Sequence, residues 1–204
     1  DFHARQVAHY IAYSKGLTDR DLGRIYRLKA KGSKSIELGT PFSPTNLLET
    51  ALRHPNRWHR ETALTLIGDH KDAELIPQLR KVLQKEIGQS ALQAFWALNL
   101  CGGFGKEVAL QALEHDSPHV RRWTVRLLGD QGEVSQDTAQ ALNELAGKEP
   151  DSETRSQLAA TARRLPPKDG LPILEQLARR GEDKEDPHLP MMIWWGFEHH
   201  AKDH

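Results

Sequence analysis

From Ser43 onward the apolar residues of this chain recur three and four apart, in short runs separated by proline, glycine and small polar residues. That spacing puts each run on one face of an amphipathic helix. Ser43 with Pro44 is a cap followed by the proline favoured at the first helical position, opening a short helix through Leu47, Leu48, Ala51 and Leu52. Asn56 caps the next helix, which a left-handed stop at Gly68 is expected to end. Leu75, Leu79, Val82 and Leu83 form one stripe, where Pro77 is tolerable only in the first turn. Ala91, Ala94, Phe95, Leu98 and Cys101 form another, ended by Gly102-Gly103, so Cys101 is expected on a buried face. A third pair runs from about Lys106 to Glu114 and from Pro118 to Leu128, with Val120, Trp123, Leu127 and Leu128 inward and Arg122 and Arg126 pointing away together. A fourth uses Thr138, Ala141, Leu142 and Leu145, then Leu158, Ala162 and Leu165, closed by Pro166-Pro167. The fifth shows Leu171, Leu174, Leu177 and Ala178, crosses a charged loop from Arg179 to Asp186, and ends in Pro187 to Phe197.

These runs are not independent. The stretch from His54 through Pro55, Asn56, Arg57, Trp58, His59 and Arg60 to Leu66-Ile67-Gly68 returns in looser form from Ser117 to Leu127-Leu128-Gly129. Both carry a proline at the start, basic residues one turn in, and an aliphatic pair with glycine at the end. Self-similarity at a fixed period marks a repeat array, in which each unit buries its apolar face only by stacking on its neighbours. Antiparallel pairs of roughly 30 residues resemble HEAT repeats, including the arginine one turn into the second helix, here Arg60 and Arg121. The fourth pair reads as lacking that arginine at the strict place. The resemblance implies an all-α fold, a right-handed α-solenoid of about five HEAT-like helix pairs over residues 43–204.

Residues 1–32 differ. Gly23-Arg24-Ile25-Tyr26-Arg27-Leu28 favours a strand, and a single strand has nowhere to pair in an all-helical protein. The expectation is that 1–32 is the edge of a preceding β domain and 33–42 a linker. The chain opens on Asp1, not methionine, and is read as a piece of a longer polypeptide.

Composition narrows the function. Of 204 residues 38% are hydrophobic, and the mean hydropathy of -0.64 suits an elongated array with much surface. Lysine plus arginine equals aspartate plus glutamate at 28 each, which argues against a nucleic-acid partner, since phosphate binding needs a concentrated cationic excess. Cys101 is the only cysteine, so a disulfide framework and a Cys-x-x-Cys-His haem motif are excluded within this sequence. No apolar run approaches the roughly 20 residues of a membrane span.

Three clusters are candidates for chemistry. Arg57-Trp58-His59-Arg60, with Arg121 and Arg122, reads as a cationic, aromatic patch of the kind enriched at interface centres. The competing reading packs Trp58 into the junction with the linker and pairs Arg60 with an acidic residue of the next repeat. Trp194 and Trp195, with Met191, oppose an apolar face of Leu189, Met192, Ile193 and Gly196, so the last helix is apolar all round and needs cover on both sides. Either chain beyond His204 or a partner supplies it. Among 11 histidines, His200 and His204 lie four apart beside His199 and Asp203, but zinc needs further ligands and a supported site, and a solvated tail is the expected reading. His3, His9, His54, His59 and His119 have no ligand spacing. No phosphate loop, dinucleotide fingerprint, His-Glu-x-x-His or nucleophile elbow is present. No catalytic, cofactor-binding or metal residue is assigned.

The order of pieces carries a narrower likeness. Asp1-Phe2-His3-Ala4-Arg5, the run from Leu17 to Leu28, the run from His54 to Ala63, and Asp186-Pro187-His188-Leu189-Pro190-Met191-Met192-Ile193-Trp194-Trp195 resemble the junction and repeat region of PVC-type haem-binding proteins, the membrane-bound-dehydrogenase-like family of large bacterial proteins. In that family a propeller similar to sorbosone dehydrogenases precedes a HEAT-like array, and a c-type cytochrome domain follows. The resemblance implies an exported, periplasmic parent protein, haem c in that parent and none in these residues, and an array that spaces or docks its redox neighbours. Its partners are then neighbouring domains of the same chain or another protein, with neither nucleic acid nor direct membrane insertion. The alternatives are a stand-alone module that recognises a protein or peptide, and, third, a bilin-lyase-like enzyme, for which no acid, base or nucleophile set is found.

Overall fold

The computed structural model describes residues 31–32, 48 and 52–201. The expected strand at Gly23 to Leu28, the linker at 33–42, the helix opened by Ser43 apart from the buried Leu48 and Leu52, and His204 lie outside those residues. The chain divides into a unit of residues 1–41 and a unit of residues 42–204, and every described helix belongs to the second.

Among the described residues nine α-helices follow one another: α1 (Arg57–His70), α2 (Ile76–Lys85), α3 (Gly88–Leu100), α4 (Lys106–Leu113), α5 (Pro118–Asp130), α6 (Gln136–Lys148), α7 (Ser152–Ala162), α8 (Pro167–Ala178) and α9 (Leu189–Ala201). They pair in order, α2 with α3, α4 with α5, α6 with α7 and α8 with α9. The second helices also pack in series, α1 on α3, α3 on α5, α5 on α7 and α7 on α9, while α4, α6 and α8 pack in series as the first layer. The described array is an α-solenoid of antiparallel pairs, in which α1 takes the place of a second helix.

The core follows the apolar stripes. One cluster joins Ala63 and Ile67 of α1, Leu79 of α2, Phe95 and Leu98 of α3, and Val120 of α5. A second runs from Ala109 and Val125 through Leu142, Leu158 and Leu174 to Leu189 and Ile193. Phe104 packs against both and meets Phe95 edge-on at 5.6 Å, so the apolar interior continues from pair to pair. Cys101 is buried at the end of α3, and that burial, together with nearby Asp72, raises its thiol pKa.

One glycine behaves differently from the sequence reading. Gly68 does not end α1, because the left-handed residue is Lys71 at φ 50°. Gly68 lies within the helix, where a Cβ would stand 3.4 Å from the Leu100 side chain of α3. Its repeat equivalent, Gly129, lies within α5, where a Cβ would come 2.7 Å from Thr161 Oγ1 of α7. Absence of a side chain at Gly129 lets α5 and α7 approach closely, whereas a Cβ at Gly68 would make ordinary contact with Leu100. The left-handed glycine stop is real elsewhere: Gly102, at φ 77°, and Gly103 donate to the Asn99 and Leu98 carbonyls at 3.0 and 2.8 Å and close α3.

The last helix has the two faces its sequence implies. Leu189, Ile193 and Gly196 are buried, whereas Trp194 is 62% exposed and Met191 and Trp195 are about half exposed. Ile193→Ala is therefore expected to cost about 2–4 kcal/mol through the cavity it leaves, while Trp194→Ser stays within about 0.5 kcal/mol. Urea unfolding of both variants checks the face assignment, and equal losses would refute it.

Candidate functional site

Three of the second helices, α1, α5 and α7, open on a short local device. Two residues before the cap, a side chain accepts the hydrogen bond of the cap residue's own N–H: His54 Nδ1 from Asn56 at 3.0 Å, His115 Nδ1 from Ser117 at 2.9 Å, and Glu149 Oε1 from Asp151 at 3.0 Å. Four residues after the cap stands an arginine: Arg60, Arg121 or Arg155. Its Nη1 donates back to the two carbonyls ahead of the helix. Arg60 reaches His54 and Pro55 at 2.7 and 2.8 Å, Arg121 reaches His115 and Asp116 at 2.7 and 3.0 Å, and Arg155 reaches Glu149 and Pro150 at 3.0 and 2.8 Å.

The rest of the guanidinium reaches into the next pair. Arg121 donates Nε and Nη2 to the two carboxylate oxygens of Glu149 at 2.7 and 2.6 Å. Arg155 makes the same fork to Asp183, through Nε at 2.8 Å and through Nη2. Glu149 thus takes Arg121 on its side chain and Arg155 on its main chain, and the series Arg121, Glu149, Arg155, Asp183 joins three consecutive pairs. Glu149 is fully buried and the Arg155–Asp183 pair nearly so. The carboxylate hydrogen bonds push both arginine pKa values above their ordinary value, against the opposing cost of burial. The fourth pair therefore has the arginine that the sequence reading denied it. The pairs that lack it are the second, with Ala91 at the place, and the fifth, with Met192.

Arg60 is the incomplete member. Twenty-eight residues on, where Arg121 and Arg155 find their carboxylates, stands Gly88. Among the described residues Arg60 has no ion pair, and its Nε is buried without a hydrogen-bond partner. The expected pairing of Arg60 with an acid of the next repeat is not formed there. Arg60 and Arg121 are thus spent inside the array, and the patch of which they were candidates is thinned to Arg57, Trp58, His59 and Arg122. Arg57 is exposed on α1 and pairs with Glu61 at 2.6 Å. Trp58 is about half exposed and stands edge-on to His59, whose ring lies 4.0 Å from that of His54.

Arg122 belongs to a different place, which the sequence reading did not assemble. With Trp123 and Arg126 of α5, Glu153, Ser156, Gln157 and Ala160 of α7, and Met192 of α9, it lines an open groove of about 300 Å³. Arg122 Nη1 meets Glu153 at 3.0 Å across the groove. The Arg126 guanidinium lies 5.1 Å from the centre of the Trp123 ring, and Trp96 of α3 stands edge-on behind it at 5.2 Å. Trp123, expected inward while Arg122 and Arg126 point away, does pack against the first apolar cluster, but it is only partly buried and serves as the platform for Arg126. The i, i+3 spacing of Trp123 and Arg126 was the available signal.

His200 also departs from its reading. It is not a solvated tail: its ring is buried, with Nε2 at 2.9 Å from the carbonyl oxygen of Ala162. Among the described residues no three histidines, cysteines or carboxylates are grouped to hold a metal, and no helix is long and apolar enough to cross a membrane.

At the head of α9, Asp186 Oδ1 accepts from the His188 and Leu189 amides at 2.9 Å each, and these two bonds hold its carboxyl below the usual aspartate range. A depressed folded-state pKa contributes stability that is present above the unfolded value of about 3.9 and is lost as pH falls through the folded one. Amide exchange at Leu189 to Met192 is expected to quicken below that range, and Asp186→Ala to show the quickened exchange already at neutral pH. Exchange that stays slow in the variant would remove Asp186 from the cap.

Comparison with known proteins agrees with this geometry. Residues 106–186 match the family model of HEAT repeats. That stretch is a HEAT-like repeat region. It spans the third and fourth pairs, including the Arg121 and Arg155 steps of the series. No curated protein and no solved structure matches the chain. HEAT-like arrays are helical scaffolds or interaction modules, built to present one long surface from many short units.

Proposed function

We propose that this array is a non-catalytic scaffold that holds protein segments or neighbouring domains along its second-helix surface. The observation that carries the reading is the groove to which three successive second helices, α5, α7 and α9, each contribute side chains. A surface formed by stacking is available only while the repeats stay in register, and the buried arginine–carboxylate series maintains that register. The resemblance of the chain's junction and terminal motifs to the PVC-type haem-binding family supports a finer proposal. The array belongs to a larger exported redox protein, between a β-propeller and a haem c domain, and spaces the two.

The test is on the full-length native protein: intact mass together with in-gel haem peroxidase staining. A much larger product carrying covalent haem is expected. A haem-free product near 23.1 kDa would remove the redox parent and favour the second reading, a stand-alone recognition module. Alanine at Arg57 and Arg122 separates scaffold from recognition module, because neither side chain belongs to the buried series and both variants should stay folded. Weakened capture of a free partner is expected for a recognition module, and little change for a scaffold that docks only neighbouring domains of its own chain.

A further inference from the structure

We propose that the groove of α5, α7 and α9 recognises an extended acidic segment of a partner protein, with an apolar side chain on Trp123 and Met192 and a neighbouring carboxylate on Arg126. The inference rests on the interaction reading above and specifies the partner's chemistry.

The floor is apolar. Trp123, backed edge-on by Trp96, with Ala160 and Met192, gives an aromatic and thioether surface of the kind that anchors a partner's side chain. One wall carries Ser156 and Gln157, whose hydroxyl and amide suit the main chain of an extended guest. The charged rim has two arginines against one glutamate, so the lining is cationic by one charge.

Arg126 is the cation placed for a guest. Its guanidinium carbon stands over the Trp123 ring, 5.1 Å from the ring centre, a cation–π position that keeps the charge at the groove. The carboxylate within its own helix, Asp130, stands 4.0 Å from Nε and is already taken by Arg164 Nη1. Among the described residues no other carboxylate pairs with Arg126, although its side chain is about half exposed. A bidentate carboxylate from a partner would complete it, and the stacked tryptophan would lie beside the carboxylate's neighbour. Arg122 offers a second cation by exchanging its exposed partner Glu153.

The experiment is a selection of randomised peptides of about 12 residues displayed on phage, a length that spans several side chains in an extended conformation, against the 204-residue chain, followed by fluorescence anisotropy of the enriched peptides. Enriched peptides are expected to carry aspartate or glutamate beside leucine, phenylalanine or tryptophan. Arg126→Glu should weaken them at least about tenfold, as loss of a charge-paired anchor does, and lysine-for-acid versions should recover binding to that variant. Arg126 lies outside both apolar clusters, so the charge reversal leaves the core intact, and circular dichroism confirms the fold. Trp123→Ala supplies a second loss at the same place.

Enriched peptides that are basic or uncharged, yet lost on Arg126→Glu, would overturn the acidic chemistry while leaving the groove a binding surface. Enriched peptides indifferent to both substitutions would overturn the groove while leaving a binding surface elsewhere on the array, and none enriched at all would overturn the interaction reading as well. A dimer in sedimentation velocity that Arg126→Glu dissolves would show a second copy to be the occupant and overturn the proposal.

Discussion

Arg155→Ala is expected to cost the array about 3–5 kcal/mol, the range for removing one member of a buried ion pair, and to lower its melting temperature by roughly 10 °C. The side chain does three things at once. Its Nη1 satisfies the Glu149 and Pro150 carbonyls ahead of α7, and its Nε and Nη2 neutralise Asp183. Alanine leaves two carbonyls and a buried carboxylate without a donor, and the unpaired charge dominates the cost. Lysine does not rescue it, since one ammonium cannot fork to Asp183 and also reach both carbonyls. Asp183→Ala is destabilising too, but the double variant should cost less than the two single changes summed, because each single change strands the other partner. The ranking across the series is the sharper check. Arg121→Ala should match Arg155→Ala, whereas Arg60→Ala should cost about 2 kcal/mol or less, as only carbonyl contacts are lost. Thermal unfolding of the three variants decides it, and a larger loss at Arg60 than at Arg155 would refute the inter-repeat role.

How much of this was legible follows from which interactions have a local period. Stripes such as Leu79 and Leu83, or Leu189 and Ile193, could be read because each lies on one helix and obeys the 3.6-residue turn. The exposed face of Met191, Trp194 and Trp195 was legible for the same reason. Arg155 is hard to see because its lead-in, Glu149-Pro150-Asp151, shares only the proline with His54-Pro55-Asn56 of the first pair. The invariant part is chemical: an acceptor, a gap, a cap and an arginine four further on, which Glu149, Asp151 and Arg155 satisfy with different residues. A carboxylate 28 residues beyond an arginine is a second mark of the same device. Gly68 was misread as a stop because a glycine that ends a helix and a glycine inside a helix facing its neighbour look alike in one dimension. The groove was illegible in a stronger sense. Its residues come from helices of three pairs, and only the stacking brings Met192 beside Arg122.

Gly170→Ala is expected to destabilise the array by about 1–5 kcal/mol, although glycine to alanine within a helix ordinarily gains close to 1 kcal/mol. Gly170 sits in the first turns of α8, where the end of α7 and the end of α9 converge. A Cβ there would fall inside the van der Waals shell of the Ala162 carbonyl oxygen and 2.8 Å from His200 Nε2. The first obstacle is backbone and cannot rotate away, so the turn through Leu165 and Pro166 must open or α8 must slide. Either movement separates Ala162 from His200, breaking the 2.9 Å contact that covers the free carbonyl at the end of α7. Overpacking costs typically 1–3 kcal/mol, and a buried carbonyl left unpaired adds about 1–3 more. Gly147→Ala is the matched control. That glycine lies in the last turns of α6, and its Cβ would meet only the Gln176 side chain, at 3.4 Å. The ordinary helix preference should then prevail, and stability should rise by up to about 1 kcal/mol. Opposite signs at the two positions, read from urea midpoints, are the expected result. A gain at Gly170 would mean that α7, α8 and α9 do not meet as closely as described, and would return His200 to the solvated tail.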